Sequence, residues 1–359
     1  MTKLSLFRFV AFTLAALTVV LPIFGGPLAN TGLGVSPYIA NIIGQIATFA
    51  LLALALDLIW GFAGVLSLGH GLFFALGGYL IAMHMLKAGY VYQNITPDIM
   101  TFMGWTELPN YWVFFESFPY AVMLILLAPG MVALLYGWIS FRSRVSGVYF
   151  AIITQALTYV VMLLMFRNDT GFGGNNGMTG FTSLLGLQMG EHSTAIWLAT
   201  ASTAALLLGF LVCGRLVNSP FGRMLVAVRD DEARLRFLGY DPVWPKLVAW
   251  TVSGVLAAIA GALYVPQVGI INPRLLSPEL SIEIAVWVAL GGRGTLSGAV
   301  IGAAVISALK FWLTGFAPDV WPFILALVVL IVVVYLPNGL SDLRLRGVIP
   351  AKGGPRREY

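Results

Sequence analysis

The sequence predicts an all-α bundle of membrane-spanning helices, and three observations carry that expectation. Of 359 residues, 59% are hydrophobic and only 10% are charged. Several apolar runs reach the roughly 20 residues that a helix needs to cross a bilayer. The basic residues also gather in alternate loops, as they do in polytopic proteins. This composition excludes a soluble globule. The formal charge of +5 is no argument for nucleic acid, because excess Lys and Arg normally collects in cytoplasmic loops. One transmembrane domain over residues 1–359 is expected, with nine or ten spans and two glycine-interrupted, broken segments.

The first span is expected from about Phe7 to Gly25. Lys3 and Arg8 before it give a signal-peptide look, but no A-x-A-like cleavage site follows, so a retained span is expected. A Gly/Pro-rich link leads to a second span from Tyr38 to Trp60. WGFAGVLSLGHGLFFALGGYL follows, broken by glycine over Gly61–Gly78, and a third span leaves it to end near Leu86. A polar-aromatic loop from Lys87 to Pro119 precedes span four, which ends at Phe141. Span five covers about Val148–Phe166, and the loop RNDTGFGGNNGMTGF leads to span six over Ala195–Gly214. Span seven runs from Leu247 to Pro266. Ile282–Leu290 is too short to cross alone and runs into GGRGTLSG, the second broken segment. Ala299–Thr314 and Val320–Leu336 are the last spans, before a basic tail over residues 337–359. The single cysteine, Cys213, permits no intrachain disulfide.

An N-terminus on the inside places Lys3, Arg8, Arg142, Arg144 and the tail residues Arg344, Arg346, Arg356 and Arg357 on the cytoplasmic side. The polar stretch Ser219–Lys246 then falls there too. It reads as two short helices. Ser219 caps the first, with Pro220 at its first position. Phe221, Leu225 and Val228 share one face at helical spacing, with Arg223 and Arg229 off it. Asp230 or Asp231 caps the second, Gly239 suits its C-terminal cap, and Pro242 stops it. An amphipathic pair this short needs a surface to pack on. It is either a solvated loop or a docking element for a soluble partner.

Within the membrane, the broken segments are the candidate solute path, since irregular backbone at that depth is tolerated where it is buried in protein or lines a wet cavity. Close packing by small residues is the competing explanation. Asp57, His70, His84, Glu283, Arg293 and Lys310 lie in or beside apolar runs, where charges face the interior and pair. Asp57 with Arg293 is the expected structural pair, and His84 is expected at an interface. Ser67, Gly71 and the amides of Asn175 and Asn176 complete the candidate path, although such asparagines are more often simply turn residues that tolerate positive φ. No H-E-x-x-H motif and no G-x-x-x-x-G-K-[ST] loop occurs, so neither a zinc hydrolase nor a chain with its own ATP site is expected.

GxxSLGHGxFFALGGY at Gly64–Tyr79, GGRGTLSGAVIGA at Gly291–Ala303 and FGRMLVAVRDDEARLRFLGY together resemble the permease subunits of branched-chain amino acid and urea ABC importers. ALDLIWGFAGVLSLGHG, SGVYFAIITQALTY, FRNDTGFGGNNGMTGF and ALYVPQVGIINP look most like the second permease of the urea systems. The resemblance implies a bacterial inner-membrane importer with both termini cytoplasmic. Its partners would be a homologous second permease, two cytoplasmic ATPase subunits that bind the ATP, and an extracytoplasmic solute-binding protein. No cofactor is implied in this chain. The loop before span seven would dock on the ATPase, through Arg229, Asp231, Glu232, Ala233, Leu235, Leu238 and Gly239. Arg234 stands where the family repeats alanine. An ion-driven secondary carrier using Asp57 or Glu283, and a non-transporting membrane scaffold, are the readings from other classes.

Overall fold

The computed structural model describes residues 3–25, 34–145, 147–335 and 339–340. The Gly/Pro-rich link over residues 26–33 and the basic tail with Arg344, Arg346, Arg356 and Arg357 lie outside the described residues. Thirteen helices run in order as α1 (Lys3–Gly25), α2 (Pro37–Asp57), α3 (His70–Gln93), α4 (Asp98–Met103), α5 (Phe118–Arg142), α6 (Gly147–Phe166), α7 (His192–Asn218), α8 (Pro220–Asp230), α9 (Glu232–Phe237), α10 (Val243–Val268), α11 (Pro278–Gly291), α12 (Leu296–Thr314) and α13 (Trp321–Tyr335). The only β structure among the described residues, apart from an isolated bridge, is a two-residue hairpin between α6 and α7. This is the expected polytopic helical bundle.

Eight of the helices described are long and apolar enough to cross a membrane: α1, α2 with its continuation to Phe62, α3, α5, α6, α7, α10 and α12. At 1.5 Å per residue, the 14 residues of α11 and 15 of α13 extend only about 21–23 Å, short of a roughly 30 Å hydrocarbon layer. So α11 fits the expected half-helix. Within the described residues, the segment expected as the final full span is also short.

The core forms around α2 and α10. α10 packs on α3, α5 and α2, while α2 also packs on α7 and α12. α2 is buried from Ala47 to Asp57 without interruption, which explains its run of Ala and Leu with no polar stripe. α5 and α6 present outward faces such as Leu126, Leu135, Ile139, Ile152 and Leu163, suited to lipid.

The first broken segment is narrower than the sequence suggested. α2 ends in a π-helical turn over Leu58–Phe62, and the non-helical stretch lies between Ala63 and His70. α3 runs unbroken through Gly77 and Gly78. Those glycines serve helix packing instead: a Cβ on Gly77 would collide with the Ala258 carbonyl of α10. Because α3 is continuous to Gln93, the polar loop also starts later than expected at Lys87. His84, expected at an interface, is buried within the protein, with Nδ1 placed 2.7 Å from the carbonyl of Phe115, in the segment between α4 and α5.

Candidate functional site

The candidate residues fall into three zones along the bundle. The first is where both breaks meet. The second break is the turn between α11 and α12, with Gly292 at φ 108° and Gly294 at φ 73°. Asp57, fully buried at the end of α2, accepts a hydrogen bond from the Gly294 N–H at 2.7 Å. The backbones of the two breaks touch here. A Cβ on Gly61 would lie 2.5 Å from the Gly294 nitrogen, so only glycine fits.

The expected Asp57–Arg293 ion pair is not formed. Arg293 is exposed, and its guanidinium sits over the Trp60 ring at 5.6 Å. The direct contact with Asp57 is made by the backbone N–H of the neighbouring Gly294, not by the Arg293 guanidinium. The physical reason is desolvation: burying a second charge is expensive, whereas a cation over an indole keeps much of its water. The ion pair inside the bundle is instead Glu283 with Lys310, at 2.9 and 3.0 Å between α11 and α12. Both residues stand out in the sequence, but nothing in it joins them.

The second zone lies inside the first break and the start of α3. Ser67 is buried and accepts from the Gly69 N–H at 3.1 Å, while the Leu68 N–H donates to Thr154 Oγ1 of α6 at 3.2 Å. His70 meets Ser253 of α10 through Nε2. The Ser253 hydroxyl donates to the Ala55 carbonyl, which leaves His70 as the donor to Ser253. The imidazole thus ties α3, α10 and α2 together. Gly71, in the first turn of α3, is less crowded than Gly61, Gly64 and Gly69 of the break, since an added Cβ would lie 3.3 Å from the Leu275 carbonyl and 3.5 Å from Ser281 Oγ. Gly71→Ala should therefore be destabilised much less than Gly71→Leu, which thermal unfolding of the purified protein would show.

The third zone is the loop between α6 and α7. Asn175 and Asn176 are exposed there, and the positive φ angles are taken by Gly171, Gly173, Gly174, Gly177 and Gly180 rather than by the asparagines. The loop is fixed by paired backbone hydrogen bonds between Met178 and Ile271, just past the end of α10. It lies at the end of the bundle opposite Asp57, so the two asparagines and the Asp57–Gly294 junction are not one site.

The Ser219–Lys246 stretch folds as its local signals dictate. Ser219 Oγ accepts from Gly222 N, Asp231 Oδ1 accepts from Arg234 N at 2.9 Å, and Gly239 takes φ 89°. Leu225 and Val228 are buried and Phe221 partly so, as their spacing implied. Two anchors join the element to the bundle. Arg229 donates from Nη1 to the Gly61 carbonyl at 2.9 Å. Glu232 accepts from Lys246 at 2.9 and 3.0 Å and from Arg236 at 2.7 Å, with Lys246 itself only 2% exposed. Leu235 faces inward, so the outward apolar surface is Phe237, 92% exposed, with Leu238 and Tyr240. Ala233 and Asp231 are exposed beside it. Neither Lys246 nor Phe237 stood out in the sequence. Lys246 read as the polar end of a loop, and Phe237 as one more apolar residue.

Burial alone would raise the Glu232 carboxyl, but hydrogen bonds from Arg236 and Lys246 outweigh it and hold the group below the usual carboxylate range. A depressed folded value means that the anchor stabilises above the unfolded value and is lost as pH falls through the folded one. Stability should therefore drop on acidification below about pH 4, where free Glu titrates. Glu232→Gln should remove that part of the pH dependence. Superimposable melting profiles of the two proteins from pH 7 to pH 3 would contradict the anchor.

With this geometry in hand, known proteins give context. The family model described as the branched-chain amino acid transport system / permease component matches residues 38–334. The high-affinity branched-chain amino acid transport system permease protein LivM of Salmonella typhimurium is 27% identical over 282 residues, covering 72% of this chain but only 59% of that relative's length. The probable branched-chain amino acid transport permease protein LivM of Methanocaldococcus jannaschii is 24% identical over 270 residues, covering 73% of this chain and 77% of the relative. The autoinducer 2 import system permease protein LsrC of Klebsiella pneumoniae is 36% identical over 138 residues, 36% of this chain and 40% of that one. No solved structure matches. A match that runs from α2 into α13 takes in both breaks and the two-helix element between α7 and α10, and the chain belongs to the branched-chain amino acid transport system permease family.

Proposed function

We propose that the chain is the transmembrane permease subunit of an ABC importer in a bacterial inner membrane. It would work beside a homologous second permease. Solute would arrive from an extracytoplasmic binding protein, and two cytoplasmic ATPase subunits would bind and hydrolyse the ATP. Residues 1–359 form the permease domain in this reading, with residues 219–246 as its cytoplasmic coupling loop and both termini cytoplasmic. One observation carries it: Arg229 joins an element with an unpartnered apolar tip, Phe237 and Leu238, to a break in a membrane helix. An ion-coupled carrier gives such an element no role. A groove-seeking amphipathic helix on a soluble motor does.

Urea is the reading of the solute that the sequence resemblance supports. It rests chiefly on the resemblance of SGVYFAIITQALTY and FRNDTGFGGNNGMTGF to urea permeases. The charges of the interior support it. Glu283 is neutralised by Lys310 and Asp57 is held by a backbone N–H, so these groups are poorly placed to grip a zwitterion. Urea needs only passing hydrogen bonds from hydroxyl, amide and backbone groups near Ser67, His70 and Gly71, with Asn175 and Asn176 at the outer end. A branched-chain amino acid is the second reading, and the family and the relatives support it better. It is favoured by the names of the LivM relatives and by a groove of about 190 Å³ beside the first break, lined by apolar residues such as Trp60, Leu68, Ile282, Val286 and Val329. On the urea reading, cells lacking this subunit should lose uptake of labelled urea at low concentration and keep uptake of labelled leucine. Loss of leucine uptake with urea uptake intact would assign the second reading instead.

A further inference from the structure

The contact between Arg229 and Gly61 has a geometry that a simple surface cap would not need. The π-helical turn Leu58–Phe62 closes α2, and carbonyls in the last turn of a helix lack intrahelical partners and carry partial negative charge. Arg229 supplies a charged donor to one of them, at 2.9 Å. Its methylene stem lies across Gly64, where an added Cβ would come within 2.8 Å of Arg229 Cγ and where φ is 76°. The Arg229 side chain therefore spans the beginning of the first break, its stem at Gly64 and its guanidinium at Gly61.

The second break is joined to the same place. Gly294 donates to Asp57, four residues before Gly61, and its Cα would carry a Cβ only 3.1 Å from the Gly61 carbonyl. The carbonyl that Arg229 holds is thus also the surface against which the second break rests. Close-packed backbone of this kind does not deform continuously, so a pull on Gly61 displaces both turns. At its other end, Arg229 belongs to a helix whose Leu225 and Val228 are buried, followed by α9 with Phe237 turned outward. Nothing flexible separates the outward tip from the guanidinium: Asp231 ends α8 and caps α9 in a single residue.

We propose that Arg229 is a positioning residue that moves the two breaks as one unit when the α8–α9 element is displaced. Gly61 and Gly64 form its grip, and the Asp57–Gly294 hydrogen bond forms the link to the second break. The inference rests on the importer reading, because the displacement comes from the ATPase, but it concerns which residue of this chain carries the motion inward.

The test uses the complex of this chain with its second permease and ATPase subunits, reconstituted in proteoliposomes with the solute-binding protein. Backbone hydrogen exchange is followed over residues 57–69, 237–240 and 291–296, with and without a non-hydrolysable ATP analogue. In the unaltered complex, residues 237–240 are shielded by the ATPase and nucleotide changes exchange at both breaks together. Arg229→Met keeps the shielding but loses the response at both breaks, and ATP-driven uptake of labelled urea and leucine, measured side by side, falls about tenfold or more, the scale of one charged hydrogen bond. Arg229→Lys, which retains a cationic donor, recovers part of the response, and Arg223→Met on the exposed side of α8 behaves as the unaltered chain. A full nucleotide response in Arg229→Met, or Arg229→Met and Arg229→Lys behaving alike, would overturn the proposal while leaving the importer reading in place. Failure of residues 237–240 to be shielded in the unaltered complex would overturn both.

Discussion

Lys310→Met is expected to cost about 3–5 kcal/mol, because it leaves the Glu283 carboxylate buried without a counter-charge. Glu283 is 5% exposed and has both oxygens on the Lys310 ammonium. The ammonium lies 6.0 Å from the Phe49 ring centroid and 5.7 Å from that of Trp321, so an apolar replacement of similar length fits its stem. Adding Glu283→Leu to Lys310→Met should recover most of the loss, since two apolar groups of similar volume replace the pair. Thermal unfolding of the four proteins in one detergent gives the coupling energy directly. Additive losses would show that the pair contributes nothing. The same cycle on Asp57→Asn and Arg293→Gln supplies the contrast: with no direct ion pair between those side chains, their coupling should be much smaller than that of Glu283 with Lys310.

The other large effect is expected where α3 and α10 meet backbone to backbone. Gly77 faces the Ala258 carbonyl and Gly261 faces the Phe74 carbonyl, so each helix presents a glycine to the other's main chain. Overfilling a core with a side chain costs about 1–3 kcal/mol when neighbours can adjust. Here the obstacle is a hydrogen-bonded carbonyl, so Gly77→Leu and Gly261→Leu should each exceed that range and sharply reduce the monodisperse protein recovered from membranes. Both helices pass through the centre of the bundle, and separating them also pulls His70 from Ser253. Normal recovery and an unchanged melting temperature for either variant would mean that the helices do not approach this closely.

The parts of the molecule legible in the sequence are those encoded by local chemistry. Ser219, Pro220, Asp231 and Gly239 each act within a few residues of themselves, so the ends of α8 and α9 could be read directly, and Leu225 and Val228 gave the buried face. Glycine at membrane depth was harder. Gly64 marks a true break, whereas Gly77 sits in a continuous helix, and the sequence offers the same residue for both. The cost of a helical glycine, about 1 kcal/mol, is offset by the close packing it permits, and that depends on α10, far along the chain. Long-range polar partners were the least legible. Asp57 was expected to pair with Arg293 and instead bonds a backbone N–H, a donor every residue but proline carries. The Glu283–Lys310 pair depends on how α11 and α12 face each other, which neither helix encodes alone. Leu235 and Phe237 differ by two residues yet face opposite ways, because Leu235 lies over the buried side of the element.

The central claim is that this chain forms a solute path driven by a separate ATPase acting through the α8–α9 element. Initial uptake rates in proteoliposomes holding the complete complex measure it most directly, with labelled urea and leucine outside, the binding protein present and ATP inside or absent. Uptake should require ATP and should be abolished by Phe237→Asp together with Leu238→Asp, a change confined to the exposed tip. Uptake that continues without ATP and collapses when an ion gradient is dissipated would contradict the account.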